Sequence, residues 1–322
     1  MDHLRRLGNS FSIPIPADEN ALTGRECPQP GCEGYFKIEF GTGLKGEGLP
    51  CHCPYCGNTA GHDQFWTKEH IEYAKSVVMR QIMDAFHKDL KKLEFDHKPT
   101  GSFGIGISMK VKESPPRPIR NYREKALETE IVCDSCTLRY SVYGVFAFCP
   151  DCKQHNSLQI LDKNLELVLK MLDMTATVDA ELAGRLVENA LEDCVSAFDG
   201  FGREIFRIHA KKSSEPAKAG KMSFQNLDGA NQNVFGLFSF ELNEGLPAGE
   251  WNTLIRGFQK RHLLSHKMGV VDADYLRKSG DRNAVMGRKV GIDAGEVKEL
   301  VLLVSKLARH LSGKLQKSEK NP

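Results

Sequence analysis

The sequence predicts an α+β fold, with two small β modules in the N-terminal half and an all-helical C-terminal half. Three observations carry this. Eight of the ten cysteines fall into pairs separated by two or four residues, all before position 153. Between the members of these groups lie YFKIEF and LRYSVYGVFAF, runs with the alternation and aromatic, β-branched content of strands. After Asn156 the apolar residues recur at helical spacing over long stretches. The expected division is a lead-in over 1–24, a first cysteine module over 25–62, a helix, strand and proline-rich connector over 63–130, a second module over 131–155 and a helical domain over 156–322.

Composition bounds the function classes. The chain has 322 residues, 40% apolar and 27% charged, as in an ordinary globular protein of two or three domains. A net charge of +2 gives no whole-molecule basic field, so any nucleic-acid surface must be a local patch. No apolar run approaches eighteen residues, which argues against a membrane span. MDHLRRLGNSFSIPIPADEN lacks the apolar core of a secretory signal, and closely paired cysteines fit a reducing compartment, so the expected location is the cytoplasm.

The lead-in, with Pro14 and Pro16 and few periodic apolar residues, reads as loosely packed. The first cysteine group is CPQPGC followed by CHCPYC, two cysteine-bearing turns joined by a strand and the turn GTGLKGEG. Four thiolates in such turns make a zinc ribbon, with Cys27, Cys32, Cys53 and Cys56 as the expected ligands and Cys51 as a spare or an alternative to Cys53. The spaced glycines from Gly41 to Gly46 resemble a dinucleotide motif but open no helix in a βαβ unit, so they are read as a turn. From Thr67 to about Leu93 a helix is expected, with Ile71, Ala74, Val78, Ile82, Phe86 and Leu90 on one stripe and Lys88, Lys91 and Lys92 on a solvated face. Residues 99–112 read as a strand or hairpin, and ESPPRPIRNYR as a connector.

The second group is the stronger metal signal, because CDSC and CPDC both show the two-residue gap. Cys133, Cys136, Cys149 and Cys152 are its expected ligands, giving two structural zinc ions per chain. Tyr140, Tyr143, Phe146 and Phe148 between them admit two uses, as a base-stacking platform or as the packing of a small hairpin.

In the C-terminal half, Leu158, Leu161, Leu165, Val168 and Leu172 mark one helix. Leu182, Leu186, Ala190, Val195 and Phe198 mark a second, with a kink expected at Gly200 and Gly202 and Cys194 as a buried core thiol. Lys211–Pro247 reads as a long irregular region. Trp251, Leu254, Ile255 and Phe258 form the apolar face of the next helix. Where that face runs out, Lys260, Arg261, His262, His266 and Lys267 crowd together before the helix stop at Gly269. GRKVGI is a short extended piece, and Asp293 with Glu296 opens a last helix with the stripe Val297, Leu300, Val301, Val304, Leu307 and Leu311. The tail KLQKSEKNP is expected to fray.

On a helix, His262 and His266 lie about 40° apart and address one cleft, whereas Arg261 and His266 lie about 140° apart. One helix does not readily close Arg261 and His266 on a single phosphate, while two copies facing each other across a two-fold axis can. The residues also admit a plain structural account, with cationic groups complementing a helix C-terminus and His262 as a core histidine.

RHLLSH at 261–266, an Arg, a polar residue, three more residues and a His, resembles the signature of the HEPN superfamily of ribonucleases. KMGVVDADYL after it, and VENALEDCVSAFDGFGREIFR before it, are also similar to such proteins, and the resemblance spans roughly residues 180–312. It implies a dimeric, all-helical domain that cleaves RNA without a catalytic metal. Arg261, His262 and His266 are then the catalytic candidates, and Lys260 and Lys267 the substrate contacts. Such enzymes commonly serve as toxins or in defence against phage. The zinc ribbons are expected to recognise or restrain the target, through nucleic acid or protein. The alternatives are a non-catalytic RNA- or nucleotide-binding protein and a protein-interaction adaptor.

Overall fold

A computed structural model of the chain describes residues 2–97, 107–112, 115–127 and 129–317. It divides into two compact units, 1–154 and 155–322. Antiparallel sheets lie in the first unit and the second is helical, as an α+β fold requires. Among the described residues no helix is long and apolar enough to cross a membrane.

The first unit opens with a short helix α1 (Asp2–Arg6), strands β1 (Leu22–Glu26) and β2 (Tyr35–Glu39), and a hairpin of β3 (Pro50–His52) and β4 (Thr59–Gly61). Helix α2 (Lys68–Lys91), a pair β5 (Phe95–His97) and β6 (Ile107–Met109), and strands β7 (Thr129–Val132) and β8 (Arg139–Val142) follow. The expected strand over 99–112 lies partly outside the described residues, and its described part is β6.

The two cysteine modules share one sheet. Strand order is β1-β2-β8-β7, so the hairpin of the first group pairs edge to edge with the hairpin of the second. Ile38 of β2 stands opposite Tyr140 of β8, and Lys37 opposite Ser141. Their inward faces, with Phe36, Phe65 and Val142, make a single core that also holds six of the cysteines. Each module alone is too small to bury such a core, and joining them supplies it.

The lead-in is thinly packed, with none of residues 2–21 buried, but it is tied down at several points. Asp89 of α2 accepts from the backbone N–H groups of His3 (3.1 Å) and Leu4 (3.0 Å), pinning the start of α1. Farther along, Tyr122 donates to the carbonyl of Pro16 (2.8 Å) and Lys37 pairs with Asp18 (2.7 Å). Thr67 caps α2 by accepting from the His70 N–H (3.1 Å). The expected stripe of α2 is only half covered, because its fully buried face is His70, Ala85 and Asp89, and Ile71 remains 43% exposed.

The second unit contains α3 (Ser157–Met174), α4 (Ala180–Ile208), α5 (Pro216–Ala219), α6 (Leu227–Phe238), α7 (Ala248–Lys267), α8 (Ala273–Ser279) and α9 (Ala294–Lys317). The stripes expected on α3 and α9 meet in one core with Ala190, Val195 and Phe198 of α4, whereas Leu182, expected on the same face, is 46% exposed and Leu186 lies outside that core. Helix α4 is continuous through Gly200 and Gly202. Gly202 is there for space: a Cβ would lie 2.6 Å from the Phe224 ring.

The region 211–247, expected to be irregular, folds into α5 and α6 and buries Phe224, Leu227, Val234 and Leu237. Its glycines and asparagines hide a helical period, and Asn226 caps α6 by accepting from Gly229 N–H (3.4 Å). Helix α7 ends with Met268 and Gly269 both left-handed, and the Gly269 N–H returns to the Leu263 carbonyl (2.9 Å). Part of the tail expected to fray, residues 314–317, stays helical, and 318–322 lie outside the described residues.

Candidate functional site

Two kinds of site emerge, one in each unit. In the first, the cysteines gather as the spacing predicts: Cys27, Cys32, Cys53 and Cys56 form one group, and Cys133, Cys136, Cys149 and Cys152 the other. A tetrahedral Zn²⁺ with Zn–S bonds of about 2.3 Å needs sulfur atoms about 3.8 Å apart. Cys27 and Cys56 are 3.7 Å apart, Cys32 and Cys53 3.8 Å, Cys133 and Cys152 3.6 Å, and Cys136 and Cys149 3.4 Å. The donor sets therefore fit a structural metal ion at each position. Cys51 is outside both groups; it is fully buried in β3, and burial pushes its thiol up to about 12.

All four cysteine-bearing turns share one backbone device. The residue after the second cysteine of each turn takes a left-handed conformation: Glu33 (φ 45°), Gly57 (φ 69°), Thr137 (φ 64°) and Lys153 (φ 61°). In the second group the thiol of Cys133 is held down to about 4, first by a hydrogen bond with Cys149 and then by the N–H groups of Cys136 and Ser135. Of the aromatic residues in this module, Tyr140 is core, while Tyr143 is 43% exposed.

In the second unit, α7 presents the RHLLSH segment. His262 and His266 are exposed, and their ring centroids lie 4.7 Å apart. The exposure of His262 excludes the core-histidine reading. Its pKa is lowered, first by partial burial and then by the charges of His266, Lys267, Lys278 and Arg261.

Arg261 faces the other way, as helical geometry requires, and is only 7% exposed. Its Nη1 donates to Gln225 Oε1 (3.4 Å). Gln225 Nε2 in turn donates to Asp199 Oδ2 (3.3 Å). Asp199, buried on α4, also accepts from the Phe224 N–H (2.6 Å), Ser223 Oγ (3.2 Å) and Arg203 Nε (2.8 Å). Gln225 therefore links Arg261 to a saturated carboxylate, and no carboxylate among the described residues pairs with Arg261 itself.

The two lysines expected to touch substrate are engaged within the unit. Lys260 is buried, and its ammonium donates to Gly291 O (2.7 Å) and Glu296 Oε2 (2.6 Å), tying α7 to α9. The apolar stretch that buries its neighbours carries Lys260 inward with them. Lys267 pairs with Asp272, which also caps α8 through Tyr275 N–H (2.8 Å). A small second core of Leu263, Val271, Tyr275 and Val290 clamps the end of α7 below the histidines.

Asp199 and Gln225 are absent from the sequence-level candidates. Asp199 had a readable signal, an acidic residue between Phe198 and Phe201 in an otherwise apolar stretch, with Arg203 four positions on. Gln225 had none, since it lies in the region read as irregular. No family model matches the chain, and no curated protein or solved structure matches it either.

Proposed function

We propose that residues 155–322 form a HEPN-type endoribonuclease that cleaves RNA as a homodimer without a catalytic metal. The observation that supports this most is a buried guanidinium with no carboxylate partner, Arg261, next in sequence to an exposed pair of imidazoles. A buried cation lacking a counter-ion is costly, and a phosphate is the anion its planar fork suits best. In this reading the RNA 2′-hydroxyl attacks the adjacent phosphorus, the O2′–P bond forms and the P–O5′ bond breaks. His266, with His262 beside it, moves the proton from the nucleophile and supplies one to the leaving oxygen, the two rings of a pair or of two protomers sharing these roles. Arg261 offsets the charge growing on the phosphoryl oxygens. The products are a 2′,3′-cyclic phosphate and a 5′-hydroxyl.

The cysteine modules, with a zinc ion in each, would recognise or restrain the target through nucleic acid or protein. Thiolate sites of this kind suit the cytoplasm. A role as a toxin or in phage defence rests on analogy alone. A second reading, a non-catalytic RNA or nucleotide binder, draws on the burial of Arg261, which limits how a reacting phosphate reaches it. Incubation of the purified protein with mixed RNA in EDTA separates the two. Cleavage lost in His266→Ala and Arg261→Ala supports the enzyme. RNA binding without cleavage supports the binder, and cleavage that survives both substitutions places the active site elsewhere.

A further inference from the structure

We propose that Arg203 binds the phosphate next to the scissile one, as a substrate contact of the site built around Arg261. The proposal rests on the ribonuclease reading and adds to it the direction in which the RNA strand runs. Asp199 and Arg203 stand about one turn apart on α4 and share a face. Arg203 Nε donates to Asp199 Oδ2 (2.8 Å), the oxygen that also accepts from Gln225 Nε2 (3.3 Å). Gln225 Oε1 accepts in turn from Arg261 Nη1 (3.4 Å). One carboxylate and one amide therefore connect two guanidiniums. That reach, hydrogen bonds in series through Asp199 and Gln225, suits neighbouring phosphates of one strand.

The cluster carries more positive charge than negative. Asp199 is the only carboxylate joined to either guanidinium by these bonds among the described residues, and it can offset one of them. It does not need Arg203 for its own satisfaction, because the Phe224 N–H (2.6 Å), Ser223 Oγ (3.2 Å) and Gln225 also donate to it. Lys221, exposed and two residues before Ser223, adds to the excess. A strand of phosphodiesters is the polyanion that such an excess attracts.

The free donors are open. Arg203 spends Nε on Asp199 and Nη2 on Ser223 Oγ (3.0 Å), which leaves Nη1, and its side chain is 50% exposed. Arg261 spends Nη1 alone. Among the described residues, the buried side-chain atoms without a partner belong to Arg25, His62, His70 and His310, so the unpaired N–H groups of Arg203 and Arg261 are not sealed from solvent. A helical ion pair explains the bond from Nε, but the second hold from Ser223 also fixes the plane of the fork. A guanidinium oriented in this way and open at its far side is suited to a phosphate.

The test titrates the full zinc-loaded chain with a short 2′-O-methyl RNA of random sequence, which binds without being cut because its 2′-hydroxyl is blocked. Arg203→Gln should weaken binding by about ten-fold and lower the salt slope of log Kd by about 0.7, the share of one phosphate on a single strand. On mixed RNA its KM should rise more than its kcat falls, the reverse of a residue that only positions Arg261. Arg203→Lys keeps the charge beside Asp199, so the slope should stay while binding weakens by about three-fold or more for want of the fork. If Arg203→Gln does not fold, Arg203→Lys decides. Native affinity and slope in Arg203→Gln, native affinity in Arg203→Lys, a fall in kcat alone, or a native chain that does not bind the probe overturns the proposal. A native chain that binds the probe through Arg203 and leaves RNA uncut supports the phosphate contact and overturns the ribonuclease reading instead.

Discussion

Ile38 and Tyr140, 2% and 1% exposed, stand opposite each other where β2 meets β8. Through that pairing the two cysteine groups become parts of one structure. The turns interlock as well: the His52 N–H donates to Pro150 O (2.7 Å) and the Phe148 N–H to Pro54 O (2.8 Å). Metal at one group should therefore steady the other. We predict that Cys149→Ser loses the second zinc and also speeds chelator extraction of the zinc held by Cys27, Cys32, Cys53 and Cys56, by about ten-fold or more. An unchanged extraction rate would show that the modules are energetically separate.

Gln225 is the link that orients Arg261, so it should act as a positioning residue. Gln225→Leu should lower RNA cleavage by about ten-fold or more, through kcat rather than KM, while the melting temperature moves little. His266→Ala should cost about a hundred-fold or more, the usual effect of losing a general acid or base. Arg261→Lys should rescue little of the loss in Arg261→Ala, because a point charge does not replace the planar fork. A Gln225→Leu variant with full kcat would remove it from the site.

For His262, the lowered pKa has a definite sign. The charged form is disfavoured, so the imidazole stays neutral to lower pH than an ordinary histidine with its value of 6.5. In an NMR titration its midpoint should fall below 6.5. Burial is the first cause and the cationic neighbours follow, so Lys278→Met should move the midpoint part of the way back up. If His262 takes a proton in the reaction, the acid limb of the pH–rate profile should shift upward with it. A midpoint at or above 6.5 in the native chain would contradict the arrangement.

Acid should act on the second unit through Glu204. It accepts from Arg207 Nε and Nη2 (both 2.7 Å) and lies 3.2 Å from His155 Nε2. Burial works to raise its pKa, but these bonds outweigh it and hold the carboxyl at about 2, against 4.5 normally. A folded pKa below the unfolded one means that the stabilisation is fully present above pH 4.5 and is lost as pH falls from there toward 2. Its ceiling is about 3 kcal/mol. Melting temperature plotted against pH should flatten over that window in Glu204→Gln; an unchanged slope would show that Glu204 carries none of it.

Much of this was legible in the chain. Cysteine spacing anticipated both groups of four thiols, because a tetrahedral ion demands short turns and little else. The stripes of α3, α4, α7 and α9 announced a helical core, because their period is carried by large apolar side chains. The pairing of β2 with β8 was not legible, since register between strands about a hundred residues apart leaves no local trace. Helix α6 was hidden because Gly229, Asn231, Asn233 and Gly236 carry the marks of a loop while Leu227, Ala230, Val234 and Leu237 carry the period. The inward turn of Lys260 was missed for a related reason: its partner Glu296 is set by the packing of α9, and charge alone reads as surface.

The left-handed residues after the cysteine pairs set the terms on which the first unit folds. Glu33, Thr137 and Lys153 hold a conformation that costs a side-chain-bearing residue about 1–2 kcal/mol each, and only Gly57 escapes it. The unfolded chain bears none of that cost. Thiolate zinc sites return on the order of 10 kcal/mol, well beyond what these turns withhold. With zinc in both groups, as proposed above, folding of this half would be coupled to the ion supply, and a chain without zinc would keep its helical half while its sheet half loosens.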